Sequence, residues 1–186
     1  ADDFHRPHNA EGVGGQLQND IQNRLQEYVD KAELFFERDV VDQHYTYSFF
    51  RGLETAIKNS RGFAVEIEWN SFVNLCLNIK KSGEEKEFNE NKRDRDSFDG
   101  WLSNWTSVHD GMTDVLQLLL REENYKTIID FEKYRNQIFG ILSYLLKYKD
   151  PIPEDEEQET AKSVSGNQNQ VTDPFSMAIN SVRGRA

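Results

Sequence analysis

The sequence predicts an all-α protein: five to six antiparallel helices set as irregular helical hairpins, in the form of an α-solenoid-like stretch or a compact bundle. Three features carry this. Apolar residues recur at spacings of three and four through most of the chain, the period of a helix face. The one alternating stretch, Phe63 to Trp69, has no partner run, and a lone strand cannot satisfy its backbone. The two most strongly periodic segments, near residues 99–121 and 125–148, are separated by only a few residues, a spacing that sets helices antiparallel.

Residues 1–15 hold Pro7, Gly12, Gly14 and Gly15 with little periodicity and are expected as a flexible lead-in. A helical domain is expected over 16–149. Its first helix runs from Gln16 to about Arg38, with Leu17, Ile21, Leu25, Tyr28, Ala32 and Phe35 along one face. A second runs from about Asp42 to Lys58, burying Phe49, Phe50, Leu53, Ala56 and Ile57 and stopping at Asn59-Ser60-Arg61-Gly62. The alternating stretch then leads, extended or helical, into a third helix from about Glu68 to Lys81 bearing Trp69, Phe72, Val73, Cys76 and Ile79.

Residues 82–97 are dense in charge of both signs and lack apolar spacing, so they read as a solvated loop. The fourth helix runs from Ser97 or Asp99, either of which suits an N-cap, to Arg121. Trp101, Leu102, Trp105, Val108, Met112, Val115, Leu116 and Leu119 form its apolar face. The fifth, from about Tyr125 to Tyr148, carries Ile128, Phe131, Tyr134, Ile138, Ile141, Leu142, Leu145 and Leu146. Asp150-Pro151-Ile152-Pro153 ends it, and residues 150–172 have the acidic, then Ser/Gly/Asn/Gln-rich composition of a linker. Asp173 as N-cap and Pro174 at the first position restart a helix over 173–186, with Phe175, Ala178, Ile179, Val182 and Ala186 at helical spacing. That helix has no stop signal, so we expect it to be truncated from a longer chain.

Composition narrows the classes of function. The 37% hydrophobic and 30% charged residues describe an ordinary globular protein and exclude disorder throughout. A net charge of -11 repels a phosphate backbone, and the Lys and Arg residues are scattered, so no nucleic-acid partner is expected. Cys76 is the only cysteine, which precludes an internal disulfide and fits a reducing, cytoplasmic setting. No apolar run approaches the length of a membrane span, and the N-terminal residues lack a signal pattern; no membrane association is expected.

Each candidate for chemistry has a plain alternative. His5 and His8 lie three apart, but Pro7 between them opposes the helix that metal binding at that spacing needs. Gly12-Val13-Gly14-Gly15 lacks the Gly-Lys-Ser/Thr ending of a phosphate-gripping loop. Asp94 to Gly100 has Phe98 and Gly100 where a calcium loop needs an oxygen ligand and a different glycine position. His109-Asp110 has no nucleophile in a recognisable setting and reads as a surface or groove-side histidine. Asn104-Trp105-Thr106 is a formal glycosylation site placed on a helix, expected unmodified. Trp101 and Trp105, four apart, read as packing anchors rather than a ligand platform. No metal or cofactor is expected.

Arg38-Asp39-Val40-Val41-Asp42-Gln43-His44 resembles the catalytic motif of the all-helical HEPN ribonucleases, in which the Arg and His act on the RNA 2′-hydroxyl and scissile phosphate. The resemblance implies a metal-independent ribonuclease using Arg38 and His44; the alternative is a charged helix end followed by a turn. The stretch Asp173 to Ala186 is similar to a segment of the helical-repeat regions of large bacterial and archaeal proteins that carry a nucleotide-binding domain and are described as ATPases, some acting in defence against phage. In those proteins it follows a Trp-containing helix, a Leu-rich helix and an acidic Asp-Pro linker, an order matched here by Trp101 and Trp105, Leu142 to Leu146, and Asp150-Pro151. This resemblance implies a stacked-helix scaffold in a multidomain protein, with the nucleotide site elsewhere and no catalytic residue carried over.

The leading expectation is therefore a non-catalytic helical scaffold or protein-interaction segment. Its partner is a protein or another part of the same chain, received in a broad acidic groove.

Overall fold

The structure, a computed structural model, describes residues 10–36, 41–59, 67–85, 104–121 and 128–147. Six α-helices and one 3-10 helix make up the described residues, with no strand among them. They are α1 (Ala10–Asn23), α2 (Leu25–Asp30), the 3-10 helix Ala32–Phe36, α3 (Gln43–Asn59), α4 (Asn70–Glu84), α5 (Trp105–Leu119) and α6 (Phe131–Leu145). The all-α fold read from the sequence is thus observed.

The stacking order follows from which side chains meet. Gly14 of α1 faces His44 and Ser48 of α3, and Gln18 and Ile21 further along α1 face Gly52 further along α3. Positions advance together, so these two helices run parallel. Likewise Tyr47 and Phe50 of α3 face Gly111 of α5, and Arg51 reaches Asp114 at 3.5 Å. Helices α1, α3 and α5 therefore form one parallel layer with α3 in the middle.

The second layer places α4 between α2 with the 3-10 helix on one side and α6 on the other. The Glu33 amide donates to Ser71 Oγ at 3.1 Å and Asn74 donates to the Glu33 carboxylate at 3.0 Å, docking the 3-10 helix on α4. Trp69 Nε1–H donates to the Ile128 carbonyl at 2.7 Å, and Lys133 donates to Glu68 at 2.6 Å, joining the entries of α4 and α6. Within a hairpin the chain reverses: His109, early in α5, meets Tyr144, late in α6. Successive helix pairs stack side by side, with alternate helices in alternate layers. The antiparallel relation is seen between α5 and α6, whereas the neighbours in a layer are parallel.

Between the layers lies one aromatic-rich core. Phe49, Phe50, Trp69 and Phe72 are fully buried, and the Phe50 and Phe72 rings meet edge-on at 6.1 Å, with Trp69 and Phe72 at 5.4 Å. Burying each such ring contributes on the order of 2–3 kcal/mol before conformational entropy is set against it.

Several boundaries differ from those expected. The single helix expected over Gln16–Arg38 is broken at Arg24, whose φ of -133° and ψ of 42° leave the helical region, while its guanidinium holds Asp20 one turn back. Helix α1 begins at Ala10, inside the stretch expected as a lead-in, and Gly14 within it fits closely against His44 and Ser48 of α3. Helix α5 starts at Trp105 with Asn104 as N-cap, its side chain accepting from the Ser107 amide at 3.0 Å. The expected caps Ser97 and Asp99 lie outside the described residues. Helix α6 starts six residues later than expected because Asp130 caps it, accepting from the Lys133 amide.

Candidate functional site

Most residues singled out in the sequence fall where the structure gives no description. His5, His8, Arg38, the Asp94–Gly100 loop, Trp101 and the 173–186 motif all lie outside the described residues. His44 is described: it is 7% exposed near the start of α3. Its imidazole lies against α1, where a Cβ on Gly14 would come within 2.6 Å of Nε2. Gly12, Gly14 and Gly15 belong to α1. Among the described residues no three His, Cys, Asp or Glu side chains are grouped as a metal site.

His109 departs from its expected surface or groove-side position. It is completely buried, with Nδ1 at 2.6 Å from the Trp105 carbonyl and Nε2 at 2.7 Å from the Tyr144 hydroxyl. A carbonyl only accepts, so Nδ1 carries the proton and Nε2 accepts from the phenol. Both ring nitrogens are satisfied inside the core, which makes burial tolerable. Desolvation lowers its pKa to about 4, holding the ring neutral. Trp105 packs as expected of an anchor, edge-on to Phe36 at 5.7 Å.

A surface groove of about 450 Å³ lies where α2, the 3-10 helix and the start of α3 meet. Tyr28, Phe35 and Tyr45 form its aromatic walls, with Leu34 and Val41 beside them. The Phe35 ring stacks on Phe49 at 4.4 Å and lies 6.2 Å from Tyr28, so the groove floor is continuous with the core and held in place by it. Leu34 is 53% exposed at the edge.

Three charged residues border this surface: Arg24, Glu27 and Lys31. Arg24 donates through Nε to Asp20 at 3.0 Å, approaches Glu27 at 3.4 Å, and lies 5.5 Å from the Tyr28 ring centroid. The Arg24 hydrogen bond holds the Asp20 carboxyl below its ordinary range. Burial, then the bond to Asp20, raises the Tyr28 phenol. Arg24 is thus occupied, whereas exposed Lys31 makes no ion pair among the described residues. Two cations and one carboxylate flank the apolar floor of this groove. No nucleophile is held against a base here, so the arrangement suits binding by apolar burial plus one charge contact.

Sequence reasoning placed Tyr28 and Phe35 on a buried stripe and passed over Lys31 and Leu34. The available signal was the run Leu34-Phe35-Phe36, three adjacent apolar residues that point in directions about 100° apart and cannot share one buried face.

Fold and site together define an all-α protein of stacked helices with an amphiphilic surface groove between α2, the 3-10 helix and the start of α3. No family model, curated protein or solved structure matches the chain.

Proposed function

We propose that this chain is a non-catalytic helical scaffold whose first hairpin receives a peptide segment of a partner protein in the Tyr28–Phe35–Tyr45 groove. The observation that carries the reading is a rigidly backed aromatic floor left open to solvent beside an exposed Leu34. Apolar side chains in that position supply binding free energy only when something covers them. The occupant is a segment with an apolar or aromatic anchor for the floor and an acidic residue within reach of Lys31, the one groove cation without a carboxylate of its own. An acidic residue suits this groove even in a chain of net negative charge, since local charges outweigh distant ones across a screening length of about 8–10 Å.

Selection of a displayed random-peptide library on the purified chain tests this. Enriched sequences should combine an aromatic or aliphatic anchor with Asp or Glu. Their binding should weaken about tenfold or more in Lys31→Glu and Leu34→Asp, with thermal unfolding unchanged. Failure to enrich, or binding indifferent to both substitutions, refutes the groove as the recognition site.

The rival proposal is RNA cleavage by Arg38 and His44. It draws less support, because the His44 ring lies beneath Gly14 instead of lining the groove. Equal release of fragments from single-stranded RNA by the parent chain and His44→Ala, at background level, eliminates it. Cleavage lost in His44→Ala establishes it.

A further inference from the structure

Among the described residues, α6 has α4 as its neighbour in the layer. Lys133 and Tyr144, which reach Glu68 before α4 and His109 of α5, lie along one flank. At 100° per residue the opposite flank, about half a turn away, carries Phe131, Leu142, Leu146 and Phe139, with Arg135 among them. Phe139 and Leu146 are both 51% exposed. The Phe139 ring meets the Phe131 ring edge-on, with centroids 5.9 Å apart. Phe131 and Leu142 turn part of their surface to the core, whereas Phe139 and Leu146 stand half in solvent beside Arg135, apolar positions on a terminal face that a helical stack keeps polar.

We propose that this flank of α6 is covered by residues 173–186 of the same chain, docked as the next helix of the stack. The pattern of that segment fits the seam. Phe175, Ala178, Ile179, Val182 and Ala186 fall on one helix face, and a helix of that length spans about 21 Å, against about 22 Å for the seam from Phe131 to Leu146. Among the stretches outside the described residues, it is the one whose apolar residues keep helical spacing over three turns. Residues 148–172 connect it to α6. Fully extended, 25 residues reach about 85 Å, roughly four times the length of the seam, so either direction of docking is open to it. Such a tether holds the segment at an effective concentration on the order of millimolar. A second copy of the chain matches that only in concentrated solution.

The proposal is independent of the groove on the first hairpin, at the other end of the layer. Hydrogen exchange on the full 186-residue chain tests it. Amides of residues 176–184 should exchange about tenfold or more slowly than in the isolated peptide 173–186. The slowing should be abolished in Phe139→Ser/Leu146→Ser, with protection of α3 unchanged. Ile179→Ser, outside the described core, should abolish it equally. The proposal fails if the segment exchanges at the free-peptide rate in the parent chain, or if its protection survives the substitutions in α6. Protection that rises with protein concentration assigns the flank to a second copy and also overturns it.

Discussion

The imidazole of His109 and the phenol of Tyr144, 2.7 Å apart, tie the first turns of α5 to the last turn of α6 inside the core. With Nδ1 committed to the Trp105 carbonyl at 2.6 Å, Nε2 must stay unprotonated to accept from Tyr144. Protonation removes that acceptor and places a charge where no water reaches it.

Acid should therefore weaken the fold by a specific route. Burial lowers the folded-state pKa of His109 from 6.5 to about 4, so between those values the unfolded chain binds the extra proton and stability falls as pH falls. The full difference is about 3 kcal/mol, lost between pH 6.5 and 4 and absent as a pH dependence above pH 7. Urea unfolding of the parent and His109→Gln across pH 4–8 measures it. The variant should be less stable at pH 7 and show a flatter slope in the acid window. Identical slopes for both proteins refute the assignment.

Tyr144→Phe deletes the phenolic donor while keeping the ring, stranding the lone pair of His109 Nε2 in the core. A loss of about 1–2 kcal/mol is expected, and the histidine should titrate higher once its neutral form is no longer held by the phenol. Denaturant midpoints and the imidazole NMR titration read the two effects separately. An unaltered midpoint counts against the bond.

Glycines at the α1–α3 contact should behave oppositely to one beside it. A Cβ on Gly52 meets Ile21 Cδ1 at 2.8 Å and the Gln18 Cα at 3.2 Å, and one on Gly14 meets His44 Nε2 and Ser48 Oγ at 2.6 Å. Gly15 has nothing within 4 Å of that position. Gly52→Ala and Gly14→Ala should each cost about 1–3 kcal/mol despite a better helix propensity, whereas Gly15→Ala should gain up to about 1 kcal/mol. Thermal melts of the three variants decide it, and a stabilised Gly52→Ala refutes the close parallel approach of the two helices.

Cys76 is wholly buried, and desolvation pushes its thiol well above the ordinary range. A disulfide reagent at pH 8 should modify the native chain only as fast as it opens globally, and at least about a hundredfold more slowly than in urea. Fast labelling without denaturant contradicts the placement of α4 in the core.

What the sequence disclosed and what it withheld separate along physical lines. The faces of α3 and α4 were legible because Phe49, Leu53 and Ile57, or Phe72, Cys76 and Ile79, repeat at helix period and are buried as that period demands. Helix entries were less legible, since Asn104 and Asp130 cap from within stretches whose apolar pattern runs on past them. The break at Arg24 was invisible because the stripe from Ile21 to Tyr28 continues across it. The groove was hidden for a related reason: Phe35 belongs to the core stripe and to the groove wall at once, and only the shape of the backbone shows which part of its ring is left open. Parallel layering rests on the contacts of three glycines, Gly14, Gly52 and Gly111, between distant segments, which no local pattern encodes. The directional information lay in Gly14, which reads alone as a loosening of the chain and in place is a point of close fit.

Because α3 and α4 alone among the described hairpins have neighbours on both sides, mechanical load pulling the outer hairpins apart has to pass through them. Tension should strip the flanking pairs first and leave this middle pair as the last to yield, so that an optical trap records a ladder of small rips in place of one sharp rupture.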